Sequence, residues 1–176
     1  MRIKSIAGLM LAAVLTVNLF GCGSGNKFDR EKWTKETLIN SITLCGEKLS
    51  YPVTAESLGG SFTLTNKQAN GEGATADLQH DGSKVCVLRF ECAPDQINDK
   101  SEASRLIFVP DESQKEVLSI NGFTAKDSLK DAKSKIGEPT EEKGATLYYK
   151  TSDNGRLEIV GGAGEDIFAI NLYFEN

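Results

Sequence analysis

Leu118-Ser119-Ile120-Asn121-Gly122-Phe123, followed by Ser128-Leu129-Lys130-Asp131-Ala132-Lys133-Ser134-Lys135-Ile136-Gly137-Glu138-Pro139, spells out a strand, a turn, a capped helix and a stop. Val117 to Ile120 is β-prone, and Asn121-Gly122 is a turn pair. Ser128 and Asp131 form a capping box: the serine hydroxyl accepts from the Asp131 N–H, and the aspartate accepts from the Ser128 N–H. Leu129, Ala132, Lys133 and Ile136 fall on one helix face. Gly137 ends the helix, and Pro139 prevents it from continuing.

The segments that follow alternate in the strand period. They are Ala145 to Lys150, Arg156 to Val160 and Ile167 to Phe174, with turns at Asp153-Asn154-Gly155 and at Gly161-Gly162-Ala163-Gly164. The first half repeats this order more loosely. Ile42 to Cys45 and Leu49 to Val53 are strands, Thr54 caps a short helix through Leu58, and Gly59-Gly60 ends it. Phe62 to Thr65, Ala74 to Gln79, Lys84 to Cys92 and Arg105 to Val109 are extended, while Asn66 to Gly73 reads as a polar loop. The expected architecture is therefore α+β. It consists of two strand–helix–antiparallel-strand repeats, at 42–116 and 117–176, that share one domain and one sheet, with the helices on one face of that sheet. An amphipathic helix over 28–41, containing Trp33 and capped by Asp29, precedes them.

The N-terminus reads as an address. Arg2 and Lys4 precede an apolar run from Ile6 to Phe20, which fits a signal-peptide core of roughly 7–15 residues and falls short of the ~20 that a spanning helix needs. Leu19-Phe20-Gly21-Cys22 resembles a bacterial lipobox, and Gly23-Ser24-Gly25-Asn26 supplies a flexible tether. The resemblance implies a cleaved lipoprotein signal peptide at 1–21 and a tether at 22–27. It also implies lipidation of Cys22, whose thiol alone can form the thioether to a diacylglyceryl group. Palmitate-type acyl chains then anchor the protein at the outer face of the cell membrane.

A second resemblance covers the C-terminal half. Ile120-Asn121-Gly122-Phe123, Lys126-Asp127-Ser128, Gly137-Glu138-Pro139 and Leu147-Tyr148-Tyr149 are similar to the pattern of small Gram-positive lipoproteins whose repeats resemble the β-lactamase inhibitor protein. The SmpA/OmlA outer-membrane assembly lipoproteins share that core. This resemblance implies helices on one sheet face and an open opposite face that binds a protein, and it brings no catalytic residues. Tyr148 and Tyr149 must point to opposite faces. Leu147 and Tyr149 share the inward one, which leaves Tyr148 and Tyr173 as candidate partner-binding residues.

Composition narrows the rest. The formal charge is −5, and it becomes −7 once Arg2 and Lys4 leave with the signal peptide. Acidity without a basic cluster argues against nucleic acid. Cys45, Cys86 and Cys92 remain after Cys22, which allows at most one disulfide. Cys86 and Cys92 cannot pair across one strand at a separation of ~20 Å, and burial as small apolar side chains accounts for them better. His80 is the one histidine and sits at the tip of a hairpin, so no Ser/His/Asp set forms. Asp95, Asn98 and Asp99 lack EF-hand spacing, and Glu138, Glu141 and Glu142 read as a solvated loop. The glycines at 161–164 lead into a strand, unlike a phosphate loop. No catalytic residue, cofactor or metal is expected. The expected function is a membrane-anchored, extracytoplasmic lipoprotein that contacts an unknown protein partner at the cell envelope through its exposed sheet face. The alternatives are a small-ligand or cell-wall carbohydrate binder and, less favoured, a cell-envelope enzyme.

Overall fold

The computed structural model describes residues 27–162 and 166–174. The signal peptide, Cys22 and the tether up to Asn26 lie outside the described residues. The described chain begins with helix α1 (Lys35–Asn40). The first half continues with β1 (Ile42–Leu44), β2 (Glu47–Lys48), helix α2 (Ala55–Leu58), β3 (Phe62–Asn70), β4 (Gly73–His80), β5 (Ser83–Phe90) and β6 (Arg105–Phe108). The second half comprises β7 (Leu118–Ile120), β8 (Phe123–Thr124), helix α3 (Leu129–Lys135), β9 (Glu141–Lys143), β10 (Thr146–Lys150), β11 (Arg156–Gly161) and β12 (Ile167–Tyr173).

Two antiparallel sheets result. The large one has eight strands in the order β3-β4-β5-β6-β12-β11-β10-β9, and the small one has four, β2-β1-β7-β8. Each half gives a hairpin to the small sheet and a four-stranded meander to the large one. The halves meet at β1–β7 and at β6–β12.

This architecture corrects the α+β expectation of helices laid on one shared sheet. The large antiparallel sheet dominates, and the helices hold only six, four and seven residues. Capping boxes are present at Thr34/Thr37, Thr54/Ser57 and Ser128/Asp131. A cap fixes where a helix starts but adds nothing to its length. The expected 28–41 helix begins only at Lys35, because Thr34 and Thr37 cap each other there, and Trp33 lies just ahead of it. Two segments read as polar loops, 66–70 and 141–143, are instead strand. They sit at or beside the two edges of the large sheet, where backbone pairing suffices and no apolar alternation is needed.

One continuous core lies between the sheets. From the large sheet, Leu78, Leu88, Phe90, Leu106, Phe108, Leu147, Tyr149, Leu157, Ile159, Ile170 and Leu172 point inward and are fully buried. The small sheet answers with Ile42, Leu44, Leu118, Ile120 and Phe123, and the helices with Leu38, Ile39 and Ala132. The Asn121-Gly122 turn joining β7 to β8 has φ of 49° and 80°, the pair of positive values that the tightest hairpins require. The segment before α1 closes the core edge-on: the Phe28 ring lies 5.1 Å from both Trp33 and Tyr149. The Phe28 N–H donates to the Ile136 carbonyl at 2.6 Å. Cys45, Cys86 and Cys92 are free thiols. Cys86 is buried, which pushes its thiol well above the usual range, whereas Cys45 and Cys92 are half-buried.

Candidate binding face

The strands that bury their even face leave the other one outward. On β5 and β6 the inward residues are Cys86, Leu88, Phe90, Leu106 and Phe108. The outward ones are therefore Val87, Arg89, Arg105 and Ile107, all half-buried. On β10, β11 and β12 the outward set is Thr146, Tyr148, Lys150, Arg156, Glu158, Val160, Ala169, Asn171 and Tyr173.

Strand register aligns these residues into rows. Arg89 is directly opposite Arg105, Arg105 opposite Tyr173, Tyr173 opposite Arg156, and Arg156 opposite Lys150. A single line across five strands thus carries three arginines, a lysine and a tyrosine. The tyrosine ring is held between two guanidinium groups, with Arg105 Cζ 4.4 Å from the ring centroid and Arg156 Cζ 3.9 Å from it. Such contacts contribute about 0.5–1 kcal/mol at exposed sites and more when desolvated. The adjacent row runs Asp77, Val87, Ile107, Asn171, Glu158, Tyr148.

The charges in the first row are unequally matched. Arg156 Nε lies 3.0 Å from Glu158 Oε1, a close ion pair whose alignment is too poor for a hydrogen bond. Tyr173 Oη donates to Glu158 Oε2 at 2.9 Å. Burial raises the Tyr173 phenol above its ordinary value and the bond to Glu158 adds to the rise, while Arg156 and Arg105 oppose it. Arg89 reaches Glu91 only at 3.4 Å, and Glu91 also accepts from Ser104 Oγ at 2.8 Å. Arg105 donates from Nη2 to Asn171 Oδ1 at 3.2 Å. It forms no ion pair among the described residues, and its Nε is buried without a hydrogen-bond partner.

The row ends in a recess on each side. One, of about 530 Å³, is lined by Arg89, Glu91, Glu102, Ser104 and Tyr51. The other, of about 230 Å³, is lined by Arg30, Lys150, Asn154, Arg156 and Tyr173. Beside the row, Val85, Val87, Ile107 and Val109 line an apolar groove of about 490 Å³, and Val109 is 52 % exposed.

The structure places Tyr148 and Tyr173 on this outer face, two strands apart with β11 between them. Tyr148 is half-exposed, with the Lys143 ammonium 5.9 Å from its ring centroid. Tyr149 is fully buried and donates from Oη to the Gly137 carbonyl at 3.1 Å. Nearby Glu141 lies between Lys143 and Lys150, whose hydrogen bonds hold its carboxyl down at about 2. His80 stacks on Phe62 at 4.7 Å, and the Asn98 side chain is taken up by backbone contacts to Lys100 and Gln96. No group of three His, Cys, Asp or Glu that could hold a metal ion occurs among the described residues. No described helix is long and apolar enough to cross a membrane.

The arginines escaped the sequence reading. Each stands at an outward strand position and looks like ordinary surface charge. The β6–β12 pairing that aligns them joins residues more than sixty positions apart, as the Arg105–Asn171 contact shows. A search of family models, of curated proteins and of solved structures finds no match to this chain.

Proposed function

We propose that this protein is a lipoprotein, tethered through Cys22 to the extracytoplasmic side of the cell membrane, that works as an interaction module and contacts a protein partner through the outer face of its large sheet. The observation that carries the reading is the outer row itself. Guanidinium and phenol groups are the side chains most often found at energetic centres of protein interfaces. Here they are stacked on one another on a face that no described helix covers. Phe28 of the N-terminal segment packs on the inward Tyr149, while Arg30 of the same segment lines the recess beside Tyr173 and adds a further positive group to that end of the row.

Two measurements test the two parts. Labelling cells with an alkyne-tagged fatty acid is expected to mark the wild-type protein and not Cys22→Ser, because a hydroxyl cannot supply the thioether. Equal label in both would remove the anchor. A photo-crosslinking amino acid placed at Tyr148 is expected to capture a protein partner that the same group at Lys48, on the small sheet, does not. Identical capture from both positions would remove the face.

A further inference from the structure

We infer that the occupant of this face is an acidic polypeptide segment whose carboxylates are held by Arg105 and Arg89; the inference rests on the outer face being the interaction surface. Arg89 and Arg105 are opposed directly across β5 and β6, a placement of like charges that destabilises a sheet. The fold offsets it only in part, through the Tyr173 ring and Asn171 at Arg105 and through Glu91 at Arg89. Arg105 has no ion pair among the described residues, its Nε is unpartnered, and Arg89 has only a 3.4 Å contact to an exposed glutamate. A carboxylate seated between the two guanidiniums supplies the missing charge and accepts in the bidentate geometry that arginine favours.

The row is also prepared in advance. Tyr173 fixes the plane of the Arg105 guanidinium on one side and that of Arg156 on the other, so little side-chain freedom remains to be lost on binding. Five strands at 4.7–4.9 Å spacing make the row about 19 Å long, the reach of about six extended residues. The apolar groove at Val87, Ile107 and Val109 adjoins the Arg89–Arg105 end of the row and suits an uncharged side chain of such a segment. A lipid surface fits less well. The chain carries a formal charge of −5 overall, and anionic headgroups attract basic surfaces. An extended lipid surface meets the whole acidic body, whereas a peptide meets only the row and the charges within about 8 Å of it; Glu91 and Glu158 are among those, and they are engaged with Arg89 and Arg156.

The test uses the tethered protein released in detergent, a fluorescein-labelled hexaglutamate peptide, hexalysine as its control, and phosphatidylglycerol vesicles. Wild-type protein is expected to bind hexaglutamate and neither of the others. Arg105→Gln should weaken that binding about tenfold, with Arg105→Lys between the two, because an ammonium keeps the charge and loses the fork. The melting temperature of Arg105→Gln should stay close to that of wild type, because relief of the opposed charges and loss of the Tyr173 and Asn171 contacts act in opposite directions. If Arg105→Gln does not fold, Arg89→Gln takes its place with the same expectation. Failure of hexaglutamate to bind, equal binding by the variants, or binding to vesicles alone each overturns the inference. The crosslink from Tyr148 separates the two failures. Partner capture that persists unchanged in Arg105→Gln removes the acidic occupant and leaves the interaction face, whereas loss of capture from wild type removes both.

Discussion

The two faces of the large sheet are made by alternate residues of the same strands, yet they obey different rules. The inner face is apolar and sealed: Leu88, Phe90, Leu106, Phe108, Leu157 and Leu172 have no exposed surface at all. The outer face of those strands is only half-covered, and what covers it is its own side chains: guanidinium on phenol, and phenol on carboxylate. An antiparallel sheet with one wet face normally carries scattered polar residues there. Here the residues are large, mutually stacked and charge-unbalanced at Arg105. The inner face stabilises the fold by removing surface from water. The outer face holds ready-made contact groups whose value to the fold is small, since partly exposed ion pairs contribute about 0–1 kcal/mol.

Neighbouring residues on β6 give the sharpest way to break this contrast. Phe108→Ala, on the inner face, is expected to cost about 3–5 kcal/mol, because the surrounding core cannot collapse into the space it leaves. Ile107→Ala, one residue away on the outer face, should cost no more than about 1.5 kcal/mol, in keeping with its partial exposure. Urea denaturation of both variants measures the difference. Similar losses would mean that the outer face is a second core and is not available for binding.

Tyr148→Ala examines the contrast from the other side. Its ring is half-exposed, with the Lys143 ammonium 5.9 Å from its centroid, so stability should change by less than about 0.5 kcal/mol. Affinity for the partner captured by the crosslink should fall by about 1–2 kcal/mol, the loss typical of a moderate interface hot spot. Calorimetry reads the affinity and a melting curve the stability. The reverse pattern would place Tyr148 among the structural residues.

Local chemistry was legible in the sequence; long-range pairing was not. The Ser128/Asp131 box, the Asn121-Gly122 turn and the alternation through Leu147-Tyr148-Tyr149 each involve residues a few positions apart, and each appears where the pattern indicates. The error of class came from placing every strand in one sheet: α2 stops at Leu58 and α3 at Lys135, as their caps and stops indicate, but β1, β2, β7 and β8 form a second sheet that packs where helices were expected. The edge strand Glu141–Lys143 carries no apolar alternation because it lies at the rim of the core: Glu142, opposite the inward Leu147, stays exposed and pairs with Lys133 of α3, while Glu141 shares the outer side with Tyr148. The arginine row needs the β5–β6–β12–β11 order, and no local pattern in the sequence encodes that order.

Asp153 tests what keeps the N-terminal segment on the inner side. It sits in the turn between β10 and β11, and its carboxylate accepts from the Lys35 N–H at 2.9 and 3.1 Å, capping α1 from a distant part of the chain. Thr151 Oγ1 donates to it at 2.7 Å. Burial alone would raise this carboxyl, but the bonds from Thr151 and from the Lys35 N–H hold it below the usual carboxylate range. Asp153→Ala should therefore cost about 1 kcal/mol, the usual cost of losing an N-cap. The sign of the pH dependence follows from the depressed value. The contribution is fully present above the ordinary aspartate range and is lost as the pH falls through the lower folded value, so the gap between wild type and Asp153→Ala should narrow on acidification. Denaturation midpoints at neutral pH and at about pH 3 measure it. Amide exchange at Leu38 and Ile39 should speed up in the variant, while exchange along β6 and β12 should not. Faster exchange in β12 as well would show that the N-terminal segment braces the sheet itself, and the independence of the two faces would then be lost.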